Sequence, residues 1–321
     1  LQKQIIILIL SVLVGFNVNS QSALTNSGGR IQVFGSGVPS TKLTLAVLGS
    51  FENQNDGVND GTIDLQDEGH LYVSGDWTNN SFSNVFPPSS ASLTDGLVTL
   101  QNPTTNQIIG GITPTFFENL ALIDSRKILV NDLNSVNNTL HLAAPLILNS
   151  RTIEFKKQDP NAINYISGFI KSETQLGNHG FIKWNTGSYV GTFTIPFGSD
   201  NYFADDDLSF SINLKNPMAV SDFFNFATYH SDIYNLPLPA SASPLEIEAR
   251  KVVDRYWIIN PSDKNNMPEV NISFSYSAID ISNASNSLDP DRLLASRNNT
   301  SLGKWLDMEP RGTNNLNTVE I

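Results

Sequence analysis

The chain has no cysteine, which excludes disulfide staples and thiolate metal sites. Stability therefore rests on packing and on hydrogen-bonded ladders. Charge is also scarce: Lys, Arg, Asp and Glu together make up 16% of the 321 residues, and the formal net charge is -12. A chain this acidic has no basic stripe with which to displace counterions from phosphates, so nucleic acid is excluded as a partner. The four histidines, His70, His141, His179 and His230, stand far apart, and none belongs to a His-Glu-x-x-His pair. No Gly-x-Ser-x-Gly elbow occurs, and Gly110-Gly111 is not followed by the Lys-Ser/Thr of a phosphate loop. The local signatures of zinc, serine-nucleophile and nucleotide chemistry are therefore missing. A triad drawn from distant positions stays open, because triads are spatial and not sequential.

Long apolar runs are nearly absent too. The one substantial run, residues 5–16, follows Lys3 and precedes the small-residue stretch Val18-Asn19-Ser20. Roughly a dozen apolar residues is short of the ~20 that a membrane-spanning helix needs. A basic start, a short apolar middle and a small-residue exit are the parts of a secretory signal. The expectation is cleavage after Ser20, which removes Lys3 and takes the net charge to -13. The mature protein is expected outside the cell, secreted or at the outer surface, with the secretion machinery as a partner and no transmembrane segment.

What the chain does have is a rhythm of very short β-type runs. Residues 62–65, 70–73, 97–100, 139–142 and 152–155 are apolar, β-branched or aromatic, with Asn, Asp and Gly between them. Helical periodicity is missing from this region, so the fold class is all-β. Short strands separated by turn chemistry fit either stacked coils or a sandwich. Beyond Pro160 the alternating segments lengthen, as in residues 165–171, 181–184, 192–198, 208–214 and 270–276, which suits antiparallel strands with one solvated face. The Pro-rich stretch 236–244 reads as a connection within this second unit. The expected plan is a parallel β-solenoid-like domain over 21–160 followed by an antiparallel β-sandwich over 161–321.

Particular segments carry a resemblance. Thr62-Ile63-Asp64-Leu65, Leu71-Tyr72-Val73-Ser74-Gly75-Asp76-Trp77, Gln107-Ile108-Ile109-Gly110-Gly111 and Phe117-Glu118-Asn119-Leu120 resemble the N-terminal β-rich region of large surface proteins of Bacteroidetes. Phe193-Thr194-Ile195-Pro196-Phe197-Gly198, Arg255-Tyr256-Trp257-Ile258-Ile259 and Lys304-Trp305-Leu306 resemble the β-sandwich that follows in them. The resemblance implies surface display through type IX secretion or a gliding-motility apparatus; such proteins typically carry a sorting or gliding-associated domain at their C-terminus, and no such domain is recognisable up to Ile321. It implies no catalytic residue.

Several residues are candidates for chemistry. Asp205, Asp206 and Asp207 form a run of carboxylates that needs a cation or solvent to screen it, which makes calcium the candidate cofactor. The Asp-rich stretch 53–64 offers oxygen ligands as well, but Val58 occupies a ligand position of the EF-type template, and two Asp-Gly steps favour tight turns. Trp77 and Trp184 have polar neighbours and are candidate glycan-stacking platforms, whereas Trp257 suits a sandwich core. Gly75, Trp77, Asn119, Gly198 and Trp257 are expected to matter for architecture. Asp64, Asp67 and Glu68 would be the carboxylates of a β-helix polysaccharide-active enzyme. The reading adopted is a non-catalytic stalk or adhesin module facing a surface or glycan ligand. A carbohydrate-binding module and that enzyme are the alternatives.

Overall fold

The computed structural model describes residues 24–34, 43–66, 68–86, 96–174, 177–199, 208–245, 248–282, 288–289, 292–299, 302–307, 313–315 and 318–320. The expected signal segment, Asp67 and the run Asp205, Asp206 and Asp207 lie outside them. The described residues are nearly all β, with parallel ladders followed by antiparallel ones.

Three ladders of parallel strands run through the first part. One joins Leu24–Ser27, Phe51–Gln54, Trp77–Asn80, Gln107–Gly111, Lys127–Leu129, Leu146–Ile147 and Ile170–Lys171 in sequence order. A second begins with Arg30–Phe34 on Thr62–Gln66 and resumes in the first halves of Phe116–Asp124 and Asn134–Leu142. It then passes to Thr152–Phe155 and Phe181–Trp184. A third joins Thr44–Val47, His70–Val73, Leu97–Asn102, the second halves of the same two long strands and Ile163–Tyr165. A register shift between Phe117 and Asn119 is where the long strand turns from one ladder to the next, as a bulge does. Most coils thus set one strand on each ladder, and the coil that begins at Trp77 has none on the second among the described residues. Hydrogen bonds between neighbouring coils include Thr115 to Asn134, 19 positions apart, and Ile112 to Asn80, 32 positions apart.

Period-2 alternation within each short strand turns one set of side chains inward, and stacking of coils aligns those sets into columns. Val47, Val73, Leu100, Leu122 and Leu142 form one such column, and Phe51, Trp77, Ile109 and Leu129 another. All nine are buried in one core cluster. The Phe51 and Trp77 ring centroids lie 4.7 Å apart. Corners are tight: a Cβ on Gly75 would run into the Ser50 amide, so only glycine fits there.

The expected break near residue 160 falls inside the coil stack. Ile163–Tyr165, Ile170–Lys171 and Phe181–Trp184, read from sequence as antiparallel, are parallel strands of further coils. Alternation has the same period in both kinds of sheet, so the pattern could not report direction. Direction reverses at Phe181–Trp184, which pairs antiparallel with Phe224–His230, itself antiparallel to Arg255–Pro261. A second antiparallel sheet carries Gly191–Ile195, Phe210–Leu214, Val270–Ser275, Thr318–Glu320 and Thr313–Asn315, in that order. The two layers meet through Trp184 on Phe193 at 5.1 Å, Phe210 on Phe226 at 5.3 Å and Trp257 on Phe274 at 5.1 Å. One sheet therefore begins as a face of the coils and ends as half of a sandwich. The buried cluster runs without a gap from Val47 to Ile272.

Candidate functional site

Most of the residues singled out by sequence are occupied in holding the coils. Trp77 and Trp184 are both 0% exposed, which corrects the expectation that they present a stacking face to glycan. The Trp77 indole Nε1 donates to Thr115 Oγ1 at 3.0 Å, and Trp184 Nε1 donates to the Lys157 carbonyl at 3.2 Å. Their polar sequence neighbours occupy the outward positions of the same strands, so neighbour polarity reported the opposite face. Burying an indole removes roughly 150–250 Å² from water, about 4–6 kcal/mol at about 25 cal/mol per Å².

The acidic stretch 53–64 is a strand end followed by a carboxylate-pinned turn. Phe51–Gln54 is a strand. Asp56 Oδ1 accepts from the Val58 and Asn59 amides at 2.8 and 2.7 Å, and these donors hold the Asp56 carboxyl below its ordinary range. Asp60 accepts from the Ser83 hydroxyl, the Phe82 amide and the Asn55 side chain, which lower it likewise. Asp64 faces outward, 2.5 Å from Arg30, with Gln32 and Gln66 beside it. Glu68 is exposed in a turn with φ 64. Among the described residues no group of three or more His, Asp or Glu has the geometry of a metal site.

Two polar features were missed by the sequence reading. The first is an inward ladder of asparagines. Asn26 Nδ2 donates to Asn53 Oδ1 at 3.0 Å, and Asn53 Nδ2 donates to Asn79 Oδ1 at 3.3 Å and to the Gly61 carbonyl at 2.7 Å. Asn79 Nδ2 reaches the Ser83 and Pro114 carbonyls. All three side chains are buried, and they satisfy corner carbonyls that strand pairing leaves over. Asn119 works in the same way at another corner, donating to the Gly96 carbonyl and accepting from Asn138. The signal for the ladder was the recurrence of Leu24-Thr25-Asn26, Phe51-Glu52-Asn53 and Trp77-Thr78-Asn79, each an apolar residue two before an Asn.

The second is a buried ionic cluster where the last coil meets the antiparallel layer. Glu173 follows the Ile170–Lys171 strand, His230 ends Phe224–His230, Arg255 opens Arg255–Pro261, and Asp280 lies in the short helix Ala278–Ser282. Arg255 Nε donates to Asp280 Oδ2 at 2.9 Å, and Arg255 Nη1 donates to Glu173 Oε2 at 3.1 Å and Thr228 Oγ1 at 3.2 Å. His230 Nδ1 lies 2.9 Å from Asp280 Oδ1, while the His230 amide donates to Glu173 Oε2. The Ser277 amide and hydroxyl also donate to Asp280 Oδ2. Burial pushes the Asp280 carboxyl up, but the Arg255 guanidinium and the donors from His230, Arg255 and Ser277 outweigh it and leave it lowered. Arg255 and Asp280 are fully buried, whereas the His230 side chain is 38% exposed.

His230 opens onto a cleft of about 650 Å³ lined also by Gly177, Ser231, Asp232, Leu236, Pro237 and Leu238. The Asp280 carboxylate beside Nδ1 holds the imidazole ring in place. The other histidines are placed differently. His70 bridges Thr44 and Thr99 on the outer face of a ladder, His141 meets Asn164, and His179 stacks on Tyr229 at 5.3 Å. Among the described residues no helix is long and apolar enough to cross a membrane. Comparison with family models, curated proteins and solved structures found no match for the chain.

Proposed function

We propose that the chain is a non-catalytic module of an exported surface protein, a rigid stalk whose outer faces and sandwich end make adhesive contacts. One observation carries this reading: the polar and aromatic residues able to do chemistry along the coils are built into an unbroken stack. Asn26, Asn53 and Asn79 join coil to coil, Trp77 and Trp184 fill the core, and Asp56 and Asp60 close turns. An architecture in which each coil templates the next suits a load-bearing spacer. Export rests on the basic, apolar and small-residue order of the first 20 residues. Display through a type IX or gliding apparatus rests on the resemblance of the β-rich segments.

The test combines location with activity. Expressed from its full reading frame, the protein is expected at the cell surface, accessible to protease added outside, with Gln21 as its mature N-terminus. It is expected to leave soluble polysaccharides uncleaved. Retention in the cytoplasm with the first 20 residues intact, or release of reducing ends from a polysaccharide, would overturn the reading.

A further inference from the structure

We propose that the first coil is a docking surface for a second copy of the chain, the two stacks meeting head to head about a two-fold axis. This coil consists of Leu24–Ser27, Arg30–Phe34 and Thr44–Val47, and among the described residues each strand pairs on one side only, with the second coil. The Leu24 amide donates to the Ser50 carbonyl, and the Gly29, Leu43 and Val47 carbonyls accept from the Thr62, His70 and Ser74 amides. Backbone groups alternate sides along a strand, so Thr25, Ser27, Arg30, Gln32, Thr44 and Ala46 direct theirs away from the second coil. All six residues are exposed. The inward side chains agree: Phe51, Ile63 and Leu71 of the second coil are at most 1% exposed, whereas their register partners Leu24, Ile31 and Leu45 are only half-buried. Proteins that keep such edges apart blunt them with Pro or Lys. These strands hold neither, and their one charge, Arg30, is tied to Asp64.

The chain itself selects the occupant. With cleavage after Ser20, Gln21-Ser22-Ala23 precede Leu24 and reach about 10 Å, whereas a coil takes 27 residues from Asn26 to Asn53. That upstream stretch is too short to lay a strand on all three edges. Nor can the far end of the stack serve, because Phe181–Trp184 is paired there with antiparallel Phe224–His230 and Ile170 bridges Phe197. Head-to-tail filaments are thereby excluded, and another first coil offers three open edges in the matching arrangement. A half-turn across the stack axis reverses the winding direction, so every strand meets an antiparallel partner: one meets its own copy and the other two meet each other. The sandwich ends then lie at opposite tips, and two stalks are joined into one. The pairing deepens the adhesive reading and rests on it for the mature N-terminus.

The full chain, purified from expressing cells, is read at its N-terminus by mass spectrometry and studied by sedimentation equilibrium. Strands of four, five and four residues are about half of the ~20–30 residues per partner in a standard interface, so a dimer with a Kd on the order of 10 μM is expected. Because the chain lacks cysteine, single spin labels can be placed cleanly. A label at Ser27→Cys should show dipolar coupling between copies, and one at Met267→Cys, on an exposed loop between two sandwich strands, should show none. Thr25→Pro removes an amide aimed at the open edge, and Ala46→Lys adds a charge there. Each should weaken the dimer about tenfold or more with the urea midpoint of the dilute chain retained. A monomer at about ten times the expected Kd, growth beyond a dimer, coupling from Met267→Cys alone, or undiminished pairing in Ala46→Lys would overturn the proposal. A chain that keeps residues 1–20 overturns the export reading and the pairing with it, whereas a monomer beginning at Gln21 overturns the pairing alone.

Discussion

At the scale of single residues, the coil interior is decided by a few polar side chains that satisfy corners. Asn53 is the clearest, fully buried and bonded to Asn26, Asn79, Ser81 and the Gly61 carbonyl. Asn53→Ala removes those partners and leaves a buried carbonyl unpaired. Urea unfolding should show a loss of about 2–3 kcal/mol, and a loss below about 0.5 kcal/mol would contradict the ladder's role. Lys127 does comparable work, with Nζ donating to the Ile123 carbonyl at 2.7 Å and to the Ser125 carbonyl from a side chain with no exposure. Burial pushes its ammonium down from 10.5 to about 8, with Asp124 opposing. Because the folded value lies below the unfolded one, the unfolded chain holds more protons between pH 8 and 10.5, and stability contributed by this residue rises with pH across that window. Unfolding measured at pH 8 and 10 should show this gain in the native chain relative to Lys127→Met. Equal pH dependence in both would refute it.

At the scale of elements, the short strands were legible because β-branched and aromatic runs punctuated by Asn, Asp and Gly have few other solutions. Residues 62–65, 70–73, 97–100 and 152–155 all lie in strands. Their direction was not legible beyond Phe155, since Phe181–Trp184 alternates identically whether its neighbour runs parallel or antiparallel, and it has one neighbour of each kind. Nor was the ionic cluster legible: Arg255 meets Glu173 from 82 residues away, and His230 meets Asp280 from 50. No local motif spans such distances. That cluster fastens coil, strand and helix together, and Arg255→Met would strand two buried carboxylates. The expected loss is about 3–5 kcal/mol at neutral pH, read as a lowered urea midpoint. The deficit should shrink as pH falls, because the unpaired carboxylates then become neutral. A deficit that is constant from pH 7 to 4 would show that the guanidinium acts by packing alone.

At the scale of the whole molecule, the division near residue 160 expected from the change in strand pattern gives way to continuity. The ladder that includes Thr152–Phe155 and Phe181–Trp184 continues into Phe224–His230 and Arg255–Pro261 without leaving the sheet. Trp184 stacks near Phe155 at 5.5 Å on the coil side and against Phe193 at 5.1 Å on the sandwich side. A shared sheet and a shared core join the two parts, which suits the stalk proposed above. Native-state hydrogen exchange read by mass spectrometry tests this most directly. Amides of Leu71, Leu122, Ile182 and Phe226 should exchange with one common opening free energy and respond together to Asn53→Ala. Contradiction would come from Phe226 and the Arg255–Pro261 strand opening at a distinctly lower free energy, unaffected by that substitution.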